Sequence, residues 1–120
     1  FLFIQQPHTN PLVFMQSLHG PAVCFIGLPA KVVDPDYHLE LSPEESNALG
    51  LPFVDGPQTH PELLSLVLLT FAENTEPVAN LMSPIVLNPQ TRRGIQAIQL
   101  GSSYSLRHPL ALESQAVACS

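Results

Sequence analysis

The side chains of this chain that could do chemistry are five histidines, two cysteines, and scattered carboxylates and serines. His8, His19, His38, His60 and His108 stand apart. None lies in an HExxH arrangement and no two share a helical turn, so no helix-borne metal site is signalled. Most adjoin proline or glycine, which puts them in loops with surface or capping roles. Only folding could gather them into a metal cluster. Asp34 and Asp36 straddle Pro35, and carboxylates so placed form turns more often than acid/base pairs. Ser102, Ser103 and Ser105 lie near His108, but there is no GxSxG elbow, P-loop or GxGxxG, and closeness in sequence is not a triad. Cys24 sits in an apolar run and is expected to be a small core residue. Cys119 is next to the chain end, and no CxxC pair exists. The expectation is therefore no catalytic residue, no cofactor and no metal ligand.

Composition narrows the class further. Charged residues are 12% of the 120, against about 25% in an ordinary globular chain. Polar uncharged and apolar groups must then cover much of the surface, and spare apolar surface is a candidate for docking. Thirteen prolines argue against a helical bundle. The net charge of −6 disfavours direct nucleic acid binding. Nine of the ten acidic residues lie between Asp34 and Glu76, a stretch with no Lys or Arg. Arg92, Arg93 and Arg107 follow it. This asymmetry fits either two solvated faces or an acidic surface that meets a basic partner. The Arg92-Arg93 pair has no interleaved aromatics of the kind an RNA surface needs. No apolar run approaches the roughly 20 residues of a membrane span. Phe1 to Ile4 lacks the basic flank of a signal peptide. Reduced thiols, no glycosylation sequon and a cytoplasmic location are expected. The chain does not begin with Met, as a fragment or processed product would not.

The elements that must position these residues are mostly strands. Phe1–Gln6, Leu12–Leu18 and Ala22–Leu28 are short, apolar and bounded by turn residues. Lys31–Val33 reads as a further short strand. Tyr37–Leu41 alternates apolar and polar, the pattern of a half-buried strand. Ser42, Pro43 and Glu45 spell a capping box that starts a helix over Pro43–Leu49, and Gly50 ends it. Leu51–Pro61 reads as a loop. Leu63–Ala72 reads as a central strand buried on both faces. Ile85–Leu87 and Ile95–Leu100 are strands, and Tyr104–Leu110 closes the domain. The sum is a mainly β fold, a small antiparallel barrel or sandwich with one short helix. Residues 1–110 form the domain, and residues 111–120 a flexible tail.

One stretch carries more information. Pro84 opens the strand Ile85-Val86-Leu87, Asn88-Pro89 starts a turn, and Gly94 is expected to supply a positive φ at its exit. Arg92 and Arg93 are displayed at the tip. Asn80 and Asn88 are expected to satisfy backbone groups.

The run Asn80-Leu81-Met82-Ser83-Pro84-Ile85-Val86-Leu87-Asn88, with its basic turn and Gly94, resembles the signature of the flagellar assembly factor FliW family. There an Asn-Leu-x-Ala-Pro-Ile-Val-Ile-Asn segment precedes a basic turn and Gly. Tyr104-Ser105-Leu106-Arg107-His108-Pro109-Leu110 is similar to that family's closing Tyr-x-x-x-His-Pro-Leu. Phe14-Met15-Gln16-Ser17-Leu18 resembles its Leu-Gln-Ser strand, and Pro35-Asp36-Tyr37 with the acidic helix resembles its next element. The resemblance covers residues 1–110 in one order. Two departures stand out. An earlier strand and turn of the family are missing, and the family's Asp-Pro after the third strand is here Leu28-Pro29.

The resemblance implies a non-enzymatic regulator that binds flagellin and the RNA-binding translational regulator CsrA, relieving repression of flagellin synthesis. Candidate partner-binding residues are Arg92, Arg93, Tyr104, Arg107 and His108, expected close together, and Asp36, Glu44 and Glu45. A missing first strand leaves an exposed edge at Phe1–Gln6 or Leu12–Leu18, so a homo-oligomer through that edge is expected. The competing readings are an enzyme on a small β-barrel and a structural β domain of a larger assembly.

Overall fold

The computed structural model describes residues 1–19, 23–52, 63–71 and 74–110. Eight strands form one antiparallel sheet: β1 (Leu2–Gln5), β2 (Val13–Gln16), β3 (Cys24–Pro29), β4 (Leu64–Thr70), β5 (Val78–Ala79), β6 (Ile85–Asn88), β7 (Arg93–Gln96) and β8 (His108–Pro109). Two short helices, α1 (Ala30–Val33) and α2 (Pro43–Ala48), complete the fold. The strand order is β1-β2-β3-β4-β5-β8, with β6 joining β4 to β7. The mainly β class expected from sequence holds, but the sheet is open and not a closed barrel, and the described residues hold two helices where one was expected.

β4 organises everything else. Its apolar run pairs with β3 on one side, and with β6 and then β5 on the other. Val67 is fully buried, and Leu66 nearly so, on opposite faces of the sheet. Both faces therefore carry core, as a strand apolar on all sides requires. Val13, Met15, Leu66 and Ile85 pack on one face. On the other, Leu28, Val67 and Ala79 meet Ala30, Tyr37, Leu81 and Leu110. Beside them Val86 and Ala97 meet Leu49 and Leu63, with Leu39 packed against both groups.

The β5–β6 connection is a detour. Leu66 pairs with Ile85 and Leu69 with Ala79, so three steps of β4 face six on the other strand. The extra chain loops out at residues 80–84. Asn80 Oδ1 holds the loop by accepting from Met82 N at 3.1 Å and Ser83 N at 3.0 Å.

The local signals of α2 are realised. Ser42 Oγ accepts from Glu45 N at 3.1 Å and Ser42 N donates to Glu45 Oε1 at 2.8 Å. At the far end Gly50 takes φ +76°, Gly50 N bonds Asn47 O, and Leu51 N bonds Ser46 O. This pair is the Schellman arrangement that a glycine after a helix permits.

Several expectations need correction. Lys31–Val33 is helical, because Pro29 ends β3 and Asp34 N turns back to Ala30 O at 2.9 Å. Tyr37–Leu41 has the expected alternation of burial but joins no ladder, since side chains take its backbone bonds. Cys24 is exposed: it pairs with the exposed Gln16 at the end of β3, away from the buried part of that strand. Gly94 does not supply the positive φ; Arg92 does, at φ 58°. A Cβ at Gly94 would stand 2.7 Å from Leu87 Cδ2, so the end of the Leu87 side chain would have to shift. The strand expected at Ile95–Leu100 is displaced: ladder bonding runs only from Arg93, opposite Asn88, to Gln96, and only His108–Pro109 of the closing segment is strand. Most of the loop expected at Leu51–Pro61, and the tail 111–120, lie outside the described residues.

A non-glycine residue in the left-handed region costs about 1–2 kcal/mol, while glycine loosens the unfolded chain by about 0.5–1 kcal/mol. Arg92→Gly should therefore raise the melting temperature by about 2–4 °C, measured by calorimetry. A second prediction concerns β1, which among the described residues pairs with β2 on one side only, whereas β2 lies between β1 and β3 and offers no edge. β1 holds no charge, and Phe1, Leu2 and Phe3 are exposed. Such an edge templates pairing with another chain. Light scattering over a range of concentrations should find dimers or larger species; a monomer at high concentration would show the edge to be protected.

Candidate functional site

The acidic candidates lie on and before α2. Glu45 is largely committed to the fold. One oxygen closes the capping box, and the other accepts from Ile98 N at 3.0 Å. A single carboxylate thus caps a helix and ties it to the segment that extends β7. Glu44, beside it, is exposed, as are Glu40 and Asp36. In the turn before Tyr37, Asp34 does the structural work: its Oδ1 accepts from Asp36 N at 3.0 Å. Asp36 is left to face solvent. Among the described residues the exposed carboxylates are thus Asp36, Glu40, Glu44 and Glu76, and Glu45 anchors the helix that carries Glu44.

Tyr104 is also built into the fold. Its ring stacks on Tyr37 with centroids 4.5 Å apart and planes at 24°. Tyr104 Oη accepts from His38 N at 2.7 Å, and Tyr37 Oη donates to Leu81 O at 2.7 Å. Burial, then the neighbouring Tyr104 and Asp34, push the Tyr37 phenol far above its ordinary range, so it stays a donor. Together the rings pin residues 37–38 to residues 81 and 104.

The basic tip is held from below. β6 and β7 pair to Asn88 and Arg93, and Arg92 N donates to Asn88 O at 2.8 Å across the four-residue turn between them. Asn88 is buried. Its Nδ2 donates to Leu49 O at 2.9 Å, and its Oδ1 accepts from Gln90 N at 3.1 Å. Thr91 Oγ1 donates to the same Leu49 carbonyl at 2.8 Å. Asn88 at the end of β6 and Thr91 of the turn thus clasp the carbonyl of Leu49, the residue that caps α2. Gly50 is needed here too, since a Cβ would meet Thr91 Cγ2 at 2.9 Å. Arg92 and Arg93 are both exposed, and neither joins an ion pair among the described residues.

The structure does not bring all the basic candidates together. His108 pairs with Ala79, which pairs with Leu69 at one end of β4. The tip lies beyond Leu87, which pairs with Leu64 at the other end. Five residues of strand separate these rows, about 17 Å. Arg107, next to His108, is exposed, and its N donates to Ser105 Oγ at 3.0 Å. Two clusters result: Arg92 and Arg93 with α2 at one end, and Arg107 and His108 with β5 at the other.

Two of the serines near His108 are committed to local backbone bonds. Ser102 Oγ donates to Gln99 O at 2.8 Å and Ser105 Oγ accepts from Arg107 N, so both serve their own turns. Among the described residues no group of three His, Cys, Asp or Glu side chains is placed to hold a metal. No helix among them is long and apolar enough to cross a membrane. Sequence reasoning missed Gln99, only 3% exposed, whose Oε1 accepts from Glu40 N at 2.8 Å and whose Nε2 donates to Glu40 O at 2.7 Å. The available signal was its phase: Gln99 follows Ile95 and Ala97 at period two, the inward set of that strand.

Known proteins share this architecture. Residues 1–110 match the family model described as FliW protein. The chain is 31% identical over 117 residues to the flagellar assembly factor FliW of Syntrophomonas wolfei, covering 97% of this chain and 71% of that one. It is 32% identical over 115 residues to the FliW of Caldanaerobacter subterraneus, covering 94% and 73%. A crystal structure of a flagellar assembly factor FliW superposes with a TM-score of 0.73 at 28% identity, over 89% of this chain and 72% of that one. With the family model matched over nearly the whole chain, and relatives of 31% and 32% identity, the chain belongs to the FliW family of flagellar assembly factors.

Proposed function

We propose that this protein is a cytoplasmic regulator of flagellar assembly that works by binding proteins. It binds flagellin, and it binds a CsrA-type translational regulator and relieves that regulator's repression of flagellin synthesis. No bond is made or broken and no cofactor is used. The observation that carries this reading is the family match over residues 1–110. A pull-down with purified flagellin and a CsrA-type protein tests it directly, and capture of neither would sink it.

Charge supports the second partner. A protein that binds RNA carries basic surface. Between Lys31 and Arg92 this chain has no Lys or Arg at all, and the described acidic residues Asp36, Glu40, Glu44 and Glu76 are exposed there. Such a surface would steer a basic protein into contact and repel RNA phosphates from its neighbourhood. Inhibition of RNA binding then needs no contact with the RNA-binding residues themselves.

The proposal has a kinetic signature. Complementary charge acts mainly on the rate of encounter and is screened by salt, with a Debye length of about 10 Å at 0.1 M. Association with the CsrA-type protein, followed by surface plasmon resonance, should slow severalfold between 0.05 and 0.5 M salt, ionic strengths of about those orders, with dissociation nearly unchanged. An affinity indifferent to salt would remove the electrostatic part of the reading.

A further inference from the structure

We infer that the Arg92–Arg93 turn is a recognition tip for a carboxylate-bearing segment of a protein partner, separate from the acidic surface that takes the basic one. The inference rests on the functional reading above and adds which surface serves which partner. Four observations carry it. Arg92 is held at φ 58°, a conformation that glycine adopts without strain and arginine does not. The turn itself gains nothing from the arginine side chain: the closing bond uses Arg92 N, and the clasp uses Asn88 and Thr91. Both guanidinium groups are exposed and form no ion pair among the described residues. Two hydrogen bonds to Leu49 O fix the tip on α2, so it is presented in one position before any partner arrives.

Charge then selects the partner. The chain carries −6 overall, and Arg92 and Arg93 are half of its four cationic side chains. A basic, RNA-binding protein is repelled by the tip and attracted by the acidic display. An acidic segment is repelled by most of the molecule and attracted at the tip, where two planar donor forks suit carboxylates. Of the two proposed partners, flagellin is therefore the one assigned to the tip, through a carboxylate-bearing stretch. Strained backbone clusters at functional sites, so a non-glycine residue kept at this φ on an exposed tip fits a side chain held there for use.

The experiment compares the full chain with Arg92→Gly, Arg92→Lys and the double variant Arg92→Ala/Arg93→Ala. Purified flagellin, a CsrA-type protein and a short single-stranded RNA are titrated against each, and melting temperatures are recorded alongside. The double variant should lose about tenfold or more in flagellin affinity with an unchanged melting temperature. Arg92→Gly should bind flagellin more weakly although it melts higher, which a merely structural role would not produce. Arg92→Lys should keep part of the affinity, and affinity for the CsrA-type protein should stay within about twofold throughout. Flagellin binding by Arg92→Gly and the double variant at wild-type strength would overturn the inference alone. Loss confined to the CsrA-type protein, or RNA retained by the wild type and lost in the variants, would reassign the tip and also overturn it. Failure of the wild type to bind flagellin would remove both this inference and the flagellin half of the functional reading.

Discussion

Gln99 makes two hydrogen bonds that a neighbouring strand would otherwise make. Its amide meets both the N–H and the carbonyl of Glu40, so a side chain stands in for a rung of ladder between the segment after β7 and residues 37–41. The same substitution recurs. Tyr37 satisfies Leu81 O, Tyr104 satisfies His38 N, Asn80 satisfies Met82 N and Ser83 N, and Asn88 satisfies Leu49 O. Each such bond contributes only about 1 kcal/mol net, but a buried group left without a partner costs about 1–3 kcal/mol. Among the described residues no buried side-chain polar atom lacks a partner. The fold has strands of two to seven residues, too short to bond all of the backbone they bring indoors. Amide and phenol side chains make up the difference.

This constraint also arranges the surface. A carboxylate spent on the backbone is not available to a partner, and Glu45 is spent twice, on Ser42 N and Ile98 N. Because it locks α2 to the segment after β7, Glu44 next to it is displayed from a fixed helix and not from a mobile loop. At the other end of α2, the Leu49 carbonyl is occupied by Asn88 and Thr91, which anchors the turn that carries Arg92 and Arg93. A two-turn helix, too short to be stable alone, thus has an acidic end and a basic neighbour, each set by side-chain bonds to its caps. Charge display and helix stability are two uses of the same contacts.

Much of this was legible in the residues. The capping box, the glycine after α2, the central apolar strand and the hairpin after Pro84 are all local signals, and each appears where its chemistry places it. The errors share a cause. The Lys31–Val33 segment has strand-like residues, yet Pro29 and the bond from Asp34 N to Ala30 O curl it into a turn of helix. The alternation at Tyr37–Leu41 correctly marks one buried face, but alternation says nothing about whether a strand or a side chain completes the backbone bonding. Cys24 shares an apolar run with Leu28, yet only the residues toward Leu28 lie in the buried part of β3.

The sequence by itself determined the elements whose cause lies within a few residues: caps, turns, apolar alternation, and the segregation of acidic from basic residues along the chain. Only the tertiary structure decided which of those residues are free. Glu44 and Glu45 look alike in sequence, but the second is bonded to an amide 53 positions away. His108 looks like a companion of Arg92, but β4 holds the two rows about 17 Å apart. Gly94 looks like the residue with positive φ, but the pairing of Asn88 with Arg93 puts that burden on Arg92. Register is a property of two strands, and no single stretch of sequence contains it.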